Sequence, residues 1–400
     1  MIKHIRDAYN KSFTEEKYAK LNAFVDGEWN HPTNFRVAET PVFIPDKMKS
    51  QLMEACTEIN KVITQSNFKE LTQNAIKHPS LSVPNEDYHT RFLQMDFGIC
   101  KDENGELIPQ LIEIQGFPSL YFFQDLLSKA YAKFFDIPEA YSVYFDGLNS
   151  NEYIELLRNV IVGDFNPKNV VLLEIEPEKQ VTAIDFYGAE HHLGIKVLCI
   201  SQMKKRGKRL FYLDEKGEEI PIKRIYNRVI FDELYGRDDL KREFYFKDEV
   251  DVEWVGHPNW FFRISKYTMP LFKSKYVPEC FYLNELESYP EDLENYVLKP
   301  LYSFAGTGVK LHITKADLDA IEEKENFILQ KKVEYAPVIE TPSGLAKFEI
   351  RMLMLWESDK QNVRIVNNLV RLSKGEMVGV RYNRDKDWVG GSVGFFNKGI

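Results

Sequence analysis

Cysteine is scarce in this chain: Cys56, Cys100, Cys199 and Cys280 are its four, far apart and without a CxxC pair or a Cys/His cluster of zinc spacing. A disulfide scaffold and a zinc site are therefore not expected, and the cysteines read as reduced core residues of a cytoplasmic protein. An excess of positive charge is lacking too. Lysine and arginine number 52 against 61 aspartates and glutamates, a formal charge of -9, so no global field would hold a phosphate backbone and nucleic acid is not an expected partner. No window approaches the roughly eighteen apolar residues of a membrane span. The start, Met1 to Asp7, has no continuous apolar stretch, so neither a membrane nor secretion is expected. Repeats and low-complexity tracts are absent. What is present is a 44% hydrophobic, 14% aromatic chain of 400 residues, enough to fill two or three domain cores and to exclude disorder for its bulk.

Apolar residues Met48, Leu52, Ala55, Cys56, Ile59 and Ile63 recur at helical spacing, which predicts an amphipathic helix from Asp46, read as its N-cap, to about Ile63. HTRFLQMDFGIC and LIPQLIEIQGF read as two strands around KDENGE, whose Asn104-Gly105 pair signals a hairpin. NVVLLEIEP, a helical stretch from Pro177 to about His192, and IKVLCI make a βαβ unit. LFYLDEKGEEIPIKRIYNRVIF reads as a hairpin-like pair turning at Lys216-Gly217, followed by a charged helix over Asp232 to Glu249. From Tyr296 onward, short strands and one helix from about Lys315 to Lys324 predict an antiparallel sheet with a covering helix. The divisions expected are 1–87, 88–150, 151–260 and 261–400.

A two-residue turn at Asn104-Gly105 sets Asp96 directly opposite Glu113, with Gln115 on the same face. Opposed carboxylates destabilise a strand pair unless a cation or a basic side chain lies between them, and three hard oxygens suit Mg²⁺. The alternative is the wet face of an edge hairpin. YVLKPLYSFAGTGVKL places Lys299 in a strand before a loop whose small residues Ser303, Ala305, Gly306 and Gly308 allow backbone N–H groups close to an anion. It is neither a Walker sequence nor a Rossmann fingerprint, and an ordinary hairpin turn is the other reading. FILQKKVE puts an apolar strand before Gln330, at a spacing that suits an adenine-binding hinge or a plain strand end.

In order and spacing these pieces resemble the circularly permuted members of the ATP-grasp superfamily, such as glutathionylspermidine synthetase. The resemblance runs from about residue 88 onward. It implies an α+β or α/β chain: a permuted ATP-grasp core with an inserted Rossmann-like pre-ATP-grasp domain. MDFGIC and LIEIQGF look like the family's Mg²⁺ strands, implying Asp96, Glu113 and Gln115 as ligands. VLKPLYSFAGTGV looks like its lysine strand and phosphate loop, implying Lys299 and Ser303, Ala305, Gly306, Thr307 and Gly308. FRISKYTMP implies Lys266 as a second phosphate contact, and FILQKKVE implies the hinge Gln330, with Lys331 and Val333 beside it. Gln115 stands where the family has Asn, and Gln94 where it often has Arg.

The activity so implied uses ATP and Mg²⁺ to activate a small-molecule or peptide carboxylate as an acylphosphate for attack by an amine or similar nucleophile. Lysines and Mg²⁺ would neutralise charge on the transferring group. Arg228, Arg351 and Arg371 interrupt apolar, strand-like surroundings, where an arginine needs an anionic partner. That partner is a substrate carboxylate, acylphosphate or ATP phosphate on one reading and a structural Glu349 or Glu113 on the other. Glu349 itself is either a nucleotide or metal contact or an ion-pair partner. The rivals are a small-molecule kinase on the same site, which needs no second nucleophile, and a nucleotide- or peptide-binding module without chemistry. A homodimer is compatible with all three. The stretch RYNRDKDWVGGSVGFFNKG reads as a substrate-covering loop or as a sheet edge with a frayed tail.

Overall fold

Where the apolar period is 3.6 the chain is helical, and where it is two the chain is extended, in a computed structural model that describes residues 1–303, 306–358, 360–379 and 383–399. Helices α1 (Lys3–Ser12), α2 (Glu15–Glu28) and α3 (Asp46–Ile63) come first. Helix α3 has the expected length, but Pro45 occupies the N-cap position, and Asp46 is the first helical residue, where its charge suits the helix dipole. Its apolar stripe Met48, Leu52, Cys56 and Ile59 shares one buried core with Leu93, Met95, Phe97 and Ile99 of strand β1 (Phe92–Lys101). The alternate residues of β1, Gln94, Asp96 and Gly98, are thereby turned to the other face. Strand β2 (Leu107–Gln115) and helix α4 (Tyr121–Phe134) follow.

Strand β3 (Val170–Glu174), helix α5 (Ala183–Leu193) and strand β4 (Lys196–Cys199) form the expected βαβ unit. Strands β5 (Arg224–Asn227) and β6 (Glu253–Val255) extend it to a parallel sheet in the order β6-β5-β3-β4. The helix begins at Ala183 rather than Pro177, which opens a short 3-10 turn instead. The expected hairpin turning at Lys216-Gly217 is present, pairing Arg209–Leu213 with Glu219–Ile222, but Arg224–Asn227 lies beyond it as a central strand, buried on both faces as parallel strands require. The expected helix over 232–249 is another correction. Only Phe231–Tyr235 is helical; Phe244, Phe246 and Val250 are buried at spacings that fit no helix face, and acidic residues there neutralise a basic hairpin through Lys204–Glu243, Lys205–Asp248 and Lys208–Glu249.

Strands β7 (Cys280–Tyr282), β8 (Tyr296–Pro300) and β9 (Phe327–Lys331) make an antiparallel sheet with β9 in the middle. The covering helix spans Lys315–Asp319, shorter than expected, with a Thr314/Asp317 capping box. Strands β10 (Gly344–Leu355), β11 (Arg364–Ser373) and β12 (Gly390–Ser392) return to the hairpin, giving the sheet order β12-β11-β10-β1-β2. Gly394–Asn397 then pairs with Val42–Ile44 and Trp388 packs on Phe13, so the C-terminal stretch ends in sheet rather than a frayed tail. The fold is mixed α and β with several sheets. All four cysteines are free and buried, and among the described residues no helix is long and apolar enough to cross a membrane.

Candidate functional site

The hairpin turn is one residue longer than the Asn104-Gly105 reading. Asp102 Oδ1 accepts the N–H groups of Asn104 and Glu106, each at 2.9 Å, and Asp102 N–H donates to Glu106 O at 2.8 Å. Gly105 sits at φ +78°, the left-handed conformation that closes a three-residue loop. From there β1 and β2 pair Lys101 with Leu107 through Phe97 with Leu111. Continued unbroken, that register would place Ile112 opposite Asp96 and turn Glu113 toward α3. A bulge at Ile112 absorbs one residue instead and restores Asp96 opposite Glu113 and Gln94 opposite Gln115. The predicted pairing therefore holds through two departures that cancel. The bulge also takes the Ile112 carbonyl out of the ladder, and Lys299 Nζ from β8 donates to it at 3.0 Å.

A basic side chain, Arg351, lies between the opposed carboxylates. Strand β10 pairs Arg351 with Asp96; its Nη2 lies 2.6 Å from Asp96 Oδ2 and 3.8 Å from Glu113 Oε1, while its Nε holds Asp96 Oδ1. Arg371 on β11 donates to Asp96 Oδ2 at 2.6 Å and to Glu349, its register partner. Glu113 accepts from Gln115 Nε2 at 2.9 Å, and its other oxygen is 3.6 Å from Lys266 Nζ, which donates to Ser303 O at 2.6 Å. Three carboxylates (Asp96, Glu113, Glu349) thus meet four cations (Arg351, Arg371, Lys266, Lys299), a surplus of one positive charge. The surplus is not spread evenly. The side chains of Asp96 and Arg351 are 1% and 8% exposed but that of Arg371 is 38%, so Arg371 is where this pairing meets solvent.

Burial works against every charge here, and the neighbours decide the outcome. Burial pushes Asp96 up, to about 6, against the pull of Arg351 and Arg371. Burial would raise Glu113 as well, but Lys266, Arg351, Arg371 and Lys299 outweigh it and hold the carboxylate at about 2. Burial lowers Lys299 to about 8, with Glu113 opposing. Both Asp96 oxygens are occupied by guanidinium groups, so of the three expected Mg²⁺ ligands Glu113 and Gln115 are the two that line the cleft, beside Lys266 and Ser303. Two oxygens completed by phosphate and water fit Mg²⁺. Among the described residues no three His, Cys, Asp or Glu side chains form a cation cage. The hydroxyl of Ser303 is buried without a hydrogen-bond partner among the described residues.

The cleft is walled by Phe117, Phe261 and Tyr302. Behind Phe117 sits Arg228, at the carboxyl end of β5, with its guanidinium 4.4 Å from the Phe117 ring and 5.3 Å from that of Phe186. It is 5% exposed, yet its Nε and Nη1 have no partner among the described residues. An unpaired buried cation costs several kcal/mol, so the position favours an anion there. Nearby Glu174, at the end of β3, is raised to about 8 by burial despite the pull of Arg228.

The remaining expected residues divide. Gln330 is buried in β9, donating through Nε2 to Leu111 O at 3.2 Å and so bracing the hairpin, with its Oε1 unpartnered among the described residues. Lys331 is exposed and Val333 half-buried. Gly306 and Gly308 both lie at φ +73°, and a Cβ on Gly308 would come within 2.7 Å of Pro300, so that loop needs its glycines. Thr307 is exposed, and Ala305 lies outside the described residues. The sequence reading missed the Ile112 carbonyl, the aromatic walls and Tyr335, whose hydroxyl donates 2.8 Å to Glu349. One signal was there for Tyr335: Gly98 inside a strand marks a close approach.

No family model and no curated sequence matches the chain. Among solved structures, a glutathione synthetase-like effector from Globodera pallida, in its apo form, aligns with a TM-score of 0.56 and 12% identity over 90% of this chain and 94% of that one. At that identity the likeness is one of fold, and it spans nearly the whole of both chains.

Proposed function

We propose that the chain is an Mg²⁺- and ATP-dependent ligase, a permuted ATP-grasp enzyme that activates a carboxylate as an acylphosphate for attack by an amine or similar nucleophile. The observation that carries this reading is the meeting of Lys266 and Lys299, from separate elements, around Glu113 in a cleft with surplus positive charge. Bound there, Mg²⁺ would supply charge neutralisation on the phosphates, held by Glu113 and Gln115. Lys266, Lys299 and Arg371 bind the phosphates, Arg351 keeps Asp96 and Glu113 apart, and Arg228 takes an anionic group of the substrate. The glutathione synthetase-like fold supports a ligase relationship.

The test is thermal unfolding with Mg²⁺, ATP and both. A ligand at about a hundred times its dissociation constant adds roughly 2.7 kcal/mol, a rise of a few degrees for a chain of this size. A rise needing both components, lost in Lys299→Ala, is expected, and ADP release is then screened with acids and amines together. No rise at saturating MgATP overturns the reading. The saturation of Asp96 by two arginines favours a second reading, a nucleotide-binding module without chemistry; MgATP binding without ADP release under any acid and amine pair would select it.

A further inference from the structure

Residue 98 is the place where β1 needs no side chain. A Cβ built on Gly98 would stand 2.7 Å from Cε1 and 3.0 Å from Cζ of Tyr335, so the tyrosine ring lies across the strand on the face that carries Asp96. The backbone pins it there: Ala336 N–H donates to Ile99 O at 2.7 Å, and Tyr335 bridges to Cys100 just where β10 stops pairing with β1. From that perch the Tyr335 hydroxyl donates to Glu349 Oε2 at 2.8 Å. Glu349 is paired in register with Gly98 on one side and Arg371 on the other, and its second oxygen takes the Arg371 guanidinium. Arg371 is therefore gripped from two directions, by Asp96 and by Glu349, and each grip has its own brace, Arg351 on Asp96 and Tyr335 on Glu349.

We infer that Tyr335 is the positioning residue of the site, locking Glu349 so that Arg371 presents its exposed edge at one angle. The inference rests on the reading of Arg371 as a phosphate contact. The physical case is one of rotamer freedom. A glutamate whose carboxylate is held at both oxygens has one usable conformation, and an arginine held by two such carboxylates loses little further entropy on meeting a ligand. Without the hydroxyl, Glu349 keeps one partner among these groups and regains its torsional freedom, and Arg371 moves with it. Arg351 is spared, because its ligand is Asp96 and Tyr335 does not touch that pair.

Two measurements separate this from the nucleotide reading. The first needs no ligand: phenylglyoxal modification of the full chain, mapped by mass spectrometry. Tyr335→Phe is expected to speed modification of Arg371 at least threefold and leave Arg351 at the wild-type rate. An unchanged Arg371 rate overturns the inference, and equal acceleration at both arginines also overturns it, since that is general loosening. Gly98→Ala, which displaces the ring without removing it, is expected to act in the same direction, and its effect should vanish in a Tyr335→Ala background. The second measurement is calorimetric affinity for MgATP and MgADP. Tyr335→Phe should weaken MgATP binding about fivefold and MgADP little, following Arg371→Ala in kind. Equal loss for both nucleotides makes Tyr335 merely structural. A wild type that binds neither nucleotide overturns the nucleotide reading, while the phenylglyoxal result still decides whether Tyr335 positions Arg371.

Discussion

Two hairpins in this chain turn on nearly the same letters, Asp-Glu-Asn-Gly-Glu at 102–106 and Asp-Glu-Lys-Gly-Glu at 214–218. They fold alike. In each, the leading aspartate accepts two backbone N–H groups at 2.9 Å, its own N–H donates to the last glutamate, and the glycine lies near φ +80°. Beyond the turn they part. The second hairpin keeps one register, from Leu213 opposite Glu219 to Leu210 opposite Ile222, on a small surface sheet. The first breaks register at Ile112, frees a carbonyl for Lys299, and joins a larger sheet in which its strand β1 is buried beside β10. The turn chemistry is common property, and the site comes from one extra residue and from the strands that pack beside it.

Breaking the charge cluster should have the largest effect. Glu113 titrates at about 2 in the folded chain, below the ordinary 4.5. The native state therefore binds fewer protons than the unfolded one, and the stability it contributes is full above about pH 4.5 and lost as pH falls toward 2. Glu113→Gln should cost on the order of a few kcal/mol at pH 7 and flatten that acid limb in urea titrations. Its counterpart at the second hairpin, Glu219→Gln, removes an exposed pair with Arg206 and should leave the urea midpoint where it was.

Next comes the bulge. Deleting Ile112 heals the ladder and keeps Glu113 opposite Asp96, so far-UV circular dichroism and cooperativity should survive, while Lys299 loses its acceptor. The thermal rise with MgATP, roughly 2.7 kcal/mol at about a hundred times the dissociation constant, should disappear. A deletion variant that still responds would show the bulge to be incidental. The smallest effect sharpens the likeness: Gly105→Ala and Gly217→Ala should each cost about 1 kcal/mol, and by nearly equal amounts, because both place a Cβ in the left-handed region. Unequal costs would mean that the two turns are not equivalent.

Much of the fold was legible because it is locally encoded. The helix at 46–63 shows in its apolar period, and the βαβ unit in two apolar runs around a helical stretch. The charged segment after 231 misled because its acidic residues answer the basic run at 204–208, a tertiary arrangement, rather than a helix face. Gln330 stands in a strand flanked by β7 and β8, in keeping with the plain-strand reading of FILQKKVE. Asp96 and Glu113 were identified as opposed, but through a turn one residue too short, and the bulge that corrected the register leaves no sequence signature of its own.

By itself the sequence determined that two acidic strands pair around a glycine turn, that a lysine strand and a small-residue loop lie far downstream, and that a parallel βαβ unit separates them. Those features depend on backbone periodicity and turn chemistry, which act over a few residues. Only the tertiary structure decided which cation lies between the carboxylates. Arg351 and Arg371 stand 255 and 275 residues from Asp96, and they reach it because β10 and β11 close the sheet beside β1. In a buried sheet a charge must find its partner on strands one or two places away, and those strands are chosen by packing, not by proximity in the chain.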